Sequence, residues 1–303
     1  MSLRVLVLGC GYIGLPLGAA LARQGHTVFG VRRSPSAAPE LAAAGLQPVC
    51  ADLTQPDDLR RLPGPFDWVV NTVAAPVGSG VDGYRATYRE GTANLLAWLR
   101  HSPPRAYVYT SSTGVYGQDD GGWVDESSPT EPESPTARLL VETEQLLWGA
   151  TQDWGFPGMI LRVAGIYGPG RGYWLRQLLQ GEARIPGDGQ RWMNMAHRDD
   201  IVQAIQAALE RGRPGQVCNV CDDEPVTHLA FFEWLAGQLR RPLPPFAPEE
   251  PASRRKRGLT NKRIANRRLR EEFRVRLTFP TYREGYGAEL RRLGLDAVSS
   301  MSS

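Results

Sequence analysis

Three glycines behind a short apolar run constrain this chain more than any other feature. Leu3 to Leu8 has the length and branching of a buried parallel strand. It runs straight into Gly9-Cys10-Gly11-Tyr12-Ile13-Gly14, the G-x-G-x-x-G spacing of a dinucleotide-binding turn. Each glycine answers a separate need: Gly9 the tight turn, Gly11 the close approach of a pyrophosphate, Gly14 the packing of the next helix on the strand. That helix is expected from about Tyr12 to Gln24, with Gly25 as its stop and Thr27–Val31 as the second strand. A lone glycine match is weak, and the flanking strand and helix supply the context that strengthens it. Helix N-terminal amides favour a phosphate, so Tyr12 and Ile13 join the glycines as candidate cofactor contacts.

The end of the second strand bears on the choice of cofactor. NAD-binding chains usually carry an acidic residue there for the ribose 2′-hydroxyl. This chain has Arg32, Arg33 and Ser34. Two guanidinium groups suit a 2′-phosphate, so NADP is expected in preference to NAD. The competing reading is a pair of solvated loop charges.

Strand and helix signals then alternate. Ser34–Gly45 reads as an Ala-rich helix or loop, Leu46–Ala51 as a third strand ending at Asp52-Leu53, and Gln55–Leu62 as a short helix. Phe66–Ala75 is a fourth strand with its exit turn, Tyr84–His101 a helix, and Ala106–Thr110 a fifth strand entering Ser111-Ser112-Thr113-Gly114-Val115-Tyr116-Gly117. Beyond an acidic, Pro-rich loop (Gln118–Pro135) come a helix (Thr136–Ala150), a sixth strand (Gly158–Val163) and the turn Gly165–Arg171. A helix (Tyr173–Gln180), a hairpin-like stretch (Gly181–Met195) and a helix opened by His197-Arg198-Asp199-Asp200 follow. Gln216–Cys221 reads as a strand, Leu229–Arg240 as a helix, Pro242–Pro251 as a linker, Arg254–Arg276 as a basic amphipathic helix, and Tyr282–Leu293 as the last helix. Such alternation specifies an α/β fold with a doubly wound parallel sheet, in which ligands bind at the carboxyl ends of the strands.

Composition removes several classes of function. A net charge of +3 over 303 residues is too small to argue for nucleic acid. No apolar run reaches membrane-spanning length, and the N-terminus enters a strand without a signal-peptide pattern, so a cytoplasmic location is expected. The cysteines are Cys10, Cys50, Cys218 and Cys221. Cys218-Asn-Val-Cys221 looks like a CxxC but falls on a strand with no second pair or neighbouring histidine, so buried free thiols and no metal site are expected. The chain has only two lysines, Lys256 and Lys262.

Taken together, Gly9/Gly11/Gly14, Asp52-Leu53, Ser111-Ser112-Thr-Gly-Val-Tyr116-Gly, Leu161-Arg162 through Gly170-Arg171 and His197-Arg-Asp-Asp200 give nearly the whole chain a pattern that resembles the extended short-chain dehydrogenase/reductases. The resemblance implies a Rossmann NAD(P)-binding domain over 1–165 that the chain rejoins at about 196–221. It implies a smaller C-terminal substrate lobe from 166–195 and 222–298; the terminal position of 299–303 separately marks it as a disordered tail. It also implies a homodimer through the helices at Tyr84–His101 and Thr136–Ala150. Asp52 and Leu53 would meet the adenine, and Ala74 and Ser111 would line the cofactor crevice.

The family's chemistry uses a Tyr-x-x-x-Lys pair, in which the lysine holds the ribose and lowers the tyrosine pKa. Here those positions hold Thr136 and Leu140, and Tyr88 stands where the family has an asparagine. The pattern is therefore similar to an atypical, YeeZ-like branch. Ser112, Tyr116 and His197 are the remaining candidates for chemistry, each with a structural alternative. Thr113, Arg138, Arg162, Tyr167, Lys262 and Arg263 are candidate substrate contacts. The expected function is NADP-dependent reduction of a small carbonyl, enone or imine. The alternatives are a non-catalytic NADP-binding sensor and a nucleotide-sugar epimerase or dehydratase, which the missing pair disfavours.

Overall fold

The structure, a computed structural model, describes residues 1–248 and 260–295. Seven strands form the central sheet: β1 (Arg4–Leu8), β2 (Thr27–Arg32), β3 (Gln47–Cys50), β4 (Trp68–Asn71), β5 (Ala106–Ser112), β6 (Gly158–Val163) and β7 (Val217–Val220). All neighbours are parallel, in the order β7-β6-β5-β4-β1-β2-β3. This is the expected doubly wound α/β architecture. The order reverses beside β1, where Leu8 is paired with Val31 of β2 on one side and Asn71 of β4 on the other. A crevice opens at such a switch point, and the glycine turn leaves β1 there.

The two-residue period of a strand sorts the core. Val5 and Val7 enter one apolar cluster, with Val108 and Leu161, while Leu6 and Leu8 enter the other, with Tyr107 and Tyr109. A third cluster lies outside the sheet and sets five aromatic rings, Tyr167, Phe231, Phe232, Tyr282 and Tyr286, among aliphatic residues such as Leu175, Ile185 and Leu235. The helix expected to start near Leu229 spans His228–Leu239, and Thr227 caps it through Ala230 N–H.

Three stretches differ from expectation. Gly181–Met195 is not a hairpin: Ile185–Pro186 pairs with Phe246–Ala247, and Trp192–Met193 pairs with Val226–Thr227. The expected helix at Tyr84–His101 is three pieces, an α-turn Gly80–Tyr84, a π-helical turn Arg85–Glu90 and an α-helix Gly91–Leu99. The described part of the basic segment is not one helix either. Arg263–Ile264 pairs with Trp123–Val124, and only Arg267–Glu271 is helical. Ile264, Leu269 and Phe273 are buried in the main core, which explains why the apolar residues alternate with charge. Arg254 to Leu259, including Lys256, and the tail Ser299–Ser303 lie outside the described residues.

Candidate active site

The glycine turn is built by backbone contacts that leave little freedom. Gly9 has a φ of 81°, and a Cβ there would lie 2.7 Å from the Val73 backbone. A Cβ on Gly14 would lie 2.5 Å from the Gly9 carbonyl oxygen. Gly11 is different: the nearest atom to its added Cβ is the Gly9 oxygen at 4.0 Å, so this face of the turn opens outward. The helix that follows (Gly14–Arg23) has no side-chain cap and no acidic residue in its first turn. Its N-terminus is thus available to an anion. The Tyr12 hydroxyl donates to Pro169 O, and the guanidinium groups of Arg171 and Arg198 lie 5.1 and 5.4 Å from its ring centre. Both cations therefore stand beside the turn. These arginines were not singled out from sequence, because their proximity to Tyr12 is created by chain segments far apart.

At the end of β2, Arg32 pairs with Glu40 at 2.7 Å and Arg33 lies 3.9 Å from Asp52. Ser34 shares a hydrogen bond with Ser36. Both ion pairs are solvent-exposed, hence weak enough for a phosphate to displace. Asp52 accepts from the Thr54 N–H and hydroxyl, which closes its turn. Leu53 is buried against Gly91, where a Cβ would collide with it. Ala74 is exposed on the exit turn of β4.

Ser111 and Ser112 end β5 and, as successive strand residues, face opposite ways. The half-buried Ser112 accepts Gly114 N–H at 3.1 Å. Thr113 follows in the same half-buried turn. Ser111 does not line the crevice: it is buried and donates to Glu144 at 2.5 Å. Glu144 also takes Arg162, through Nε at 3.1 Å and Nη2 at 2.8 Å. Arg162 Nη1 donates to the Tyr116 hydroxyl, which donates to Asn219 Oδ1 at 2.8 Å. This buried chain joins β5, β6, β7 and the helix Pro135–Trp154. Arg162 and Tyr116, expected at the cleft, are instead fully engaged inside the protein, and burial pushes the Tyr116 hydroxyl up to about 12. Sequence did hold a signal for Glu144, a carboxylate on the apolar stripe of Leu140 and Leu147.

His197 and Tyr167 also point inward. His197 is 2 % exposed, and its Nδ1 accepts Asp199 N–H as the cap of the helix Arg198–Arg211. Its ring lies 3.6 Å from that of Phe279, and burial lowers its pKa to about 4. It is a neutral structural cap near neutral pH and has no charge to give a substrate. Tyr167 stacks on Tyr286 at 4.7 Å within the third cluster.

The helix Pro135–Trp154 carries Thr136 and the buried Leu140 at the family's Tyr and Lys positions. Arg138 donates to Pro132 O, and Glu142, one turn on, pairs with Arg89 at 3.0 Å. Arg138 lines a cleft of about 360 Å³ with Glu131, Glu133 and Glu142, whose charge repels an acidic substrate. Lys262 is buried, with Nζ donating to Tyr116 O at 2.9 Å and to the Thr260 hydroxyl, and burial lowers its pKa to about 8. Arg263 is held between the rings of Trp123 and Trp192, each at 5.1 Å.

Comparison with known proteins accords with this geometry. The sequence profile of the NAD dependent epimerase/dehydratase family matches residues 5–221. Protein YeeZ of Escherichia coli K12 is 29% identical over 80% of this chain and 86% of its own. A 3-diazoavenalumate denitrifying reductase of Streptomyces is 30% identical over 95% of this chain and 100% of its own. The structure of a putative NAD-dependent epimerase/dehydratase of Methylobacillus flagellatus is 32% identical, with a TM-score of 0.78, covering 97% of this chain and 99% of that one. The chain is thus a member of the NAD-dependent epimerase/dehydratase family, the extended short-chain dehydrogenase/reductases, in which nicotinamide cofactors are bound.

Proposed function

We propose that the protein is an NADP-dependent reductase of a small carbonyl, enone or imine, working as a cytoplasmic homodimer. The observation that carries the reading is the cradle at the end of β1: Gly9 and Gly14 are closed by backbone, while Gly11 opens outward beside an uncapped helix N-terminus. These residues fit a nucleotide pyrophosphate. Gly9, Gly11, Tyr12, Ile13 and Gly14 would hold it, and Arg32 and Arg33 would take the 2′-phosphate. Leu53 and the ordered turn of Asp52 would face the adenine. A reduced nicotinamide, when bound, supplies a hydride.

The chain's own residues orient the acceptor. Ser112 would offer its hydroxyl beside Thr113 at the carboxyl edge of β5. Lys262 and Arg263 would form the wall of a substrate lobe built from 166–195 and 222 onward. The Streptomyces relative's description as a reductase supports the reaction class. An epimerase or dehydratase must also abstract a proton beside the transferred hydride, and Thr136 and Leu140 have no group for it. The same two residues favour the second reading, a sensor that binds NADP without turnover.

The test is NADPH oxidation by the full chain with a panel of aliphatic ketones, conjugated enones and cyclic imines. Reduction of one class at a rate well above background is expected. Tight NADPH binding with no oxidation across the panel would favour the sensor, and failure to bind NADPH would remove both readings.

A further inference from the structure

The reductase reading leaves the proton donor unassigned, since Thr136 and Leu140 replace the usual pair. We propose that Tyr88 fills that role: its hydroxyl, carried on a π-helical turn facing the helix of Thr136 and Leu140 and anchored by the Ala75 N–H, protonates the oxygen or nitrogen of the reduced carbonyl or imine. The inference rests on the reductase reading and adds a named group to it.

Four observations converge on this hydroxyl. First, Tyr88 belongs to the π-turn Arg85–Glu90, which packs against the helix Pro135–Trp154, and Arg89 on the same turn pairs with Glu142. A π-turn inserts one residue into the helical ladder and re-aims the side chains around it, a distortion frequent at functional sites. Second, the Tyr88 oxygen accepts the N–H of Ala75 at 3.3 Å, on the exit turn of β4 at the carboxyl edge of the sheet. Third, the Tyr88 ring packs on the edges of both main apolar clusters, and its hydroxyl makes no hydrogen bond to an acceptor among the described residues. Fourth, Tyr109 on β5, whose buried hydroxyl has no partner, is held neutral by burial and by the proximity of Tyr88 and Glu144. The Tyr88 hydroxyl therefore stands among the exit of β4, β5 and the helix that lost the usual pair.

The step balances. As the carbonyl or imine carbon gains its hydride, its double bond opens and the electron pair settles on oxygen or nitrogen. The Tyr88 O–H bond breaks, a new O–H or N–H bond forms on the product, and the phenolate regains a proton from solvent. The Ala75 N–H stabilises the transient phenolate. Burial raises the Tyr88 pKa, so the resting group is a proton-bearing phenol, suited to an anion formed by hydride addition. The titratable groups facing it are Tyr84, at the end of the preceding α-turn, and Tyr109 on β5.

The test places meta-fluorotyrosine at position 88 of the full chain and follows it by fluorine NMR. Saturating NADP+ should move the resonance and lower the phenol pKa by about one pH unit, because the nicotinamide ring then carries positive charge. Saturating NADPH should move the resonance without that fall in pKa. Tyr88→Phe should keep NADPH affinity and reduce any panel compound about 10²–10⁴-fold more slowly. If nucleotide binds and the resonance stays still, Tyr88 is not at the nicotinamide and this inference fails while the reductase reading stands. Equal rates for Tyr88→Phe and wild type overturn it as well. If neither nucleotide binds to the wild type, the reductase reading itself has failed.

Discussion

At the scale of single residues, the glycine turn separates folding from binding. Gly14→Ala forces a methyl against the Gly9 carbonyl, a backbone atom that cannot step aside. It should cost about 1–3 kcal/mol of stability, seen as a lower urea midpoint. Gly11→Ala meets nothing closer than 4.0 Å and should unfold at the wild-type midpoint. Calorimetric titration should nevertheless show at least a tenfold loss of NADPH affinity, about 1.4 kcal/mol. Equal effects at both sites would contradict the assignment of Gly11 to the ligand.

His197 gives a second residue-scale expectation. Burial lowers its pKa from 6.5 to about 4, so the unfolded chain takes up the proton first as pH falls. The neutral ring's contribution is fully present above pH 6.5 and is lost as pH drops toward about 4, a change on the order of 3 kcal/mol. Unfolding free energies of His197→Asn, which keeps a capping oxygen, should lack that part of the pH dependence.

At the scale of elements, the buried chain Ser111–Glu144–Arg162–Tyr116–Asn219 locks β5, β6 and β7 to the helix Pro135–Trp154. Removing one charge strands the other in the core. Arg162→Met should cost about 3–5 kcal/mol in urea unfolding, and adding Glu144→Gln should recover part of that loss. If the double variant is as unstable as the sum of the singles, the two residues do not act as a pair.

The strands and the glycine turn were legible because their signal is local: apolar runs, spacing, and Gly25 after the helix. Residues joined across elements were not. Ser111 and Ser112 are equivalent in a one-dimensional motif, and only strand alternation sends one to Glu144 and turns the other the opposite way. Arg162, Tyr116, Tyr167 and His197 sit in recognisable motifs, yet the fold buries all four. The π-turn was also illegible, since its extra residue leaves the helical apolar spacing of Leu95 and Leu99 intact. Tyr88, which accepts the Ala75 N–H, lies on that turn. The basic segment misled through composition, because Ile264, Leu269 and Phe273 belong to the main core.

At the scale of the whole molecule, one parallel sheet creates a single crevice where its order reverses, and the separate aromatic cluster lies outside that sheet. No described helix is long and apolar enough to cross a membrane. The family binds a nicotinamide dinucleotide, and the proposed preference for NADP turns on two arginines at one edge. A titration with NADPH and NADH, on wild type and on an Arg32→Asp/Arg33→Ala variant, tests this most directly. Charge-assisted hydrogen bonds to a 2′-phosphate are worth about 1.5–3 kcal/mol. The wild type should therefore prefer NADPH by roughly ten- to a hundredfold, and the variant should lose that preference while still binding NADH. Wild-type protein that binds NADH as tightly as NADPH would contradict the role given to Arg32 and Arg33, and protein that binds neither would contradict the account as a whole.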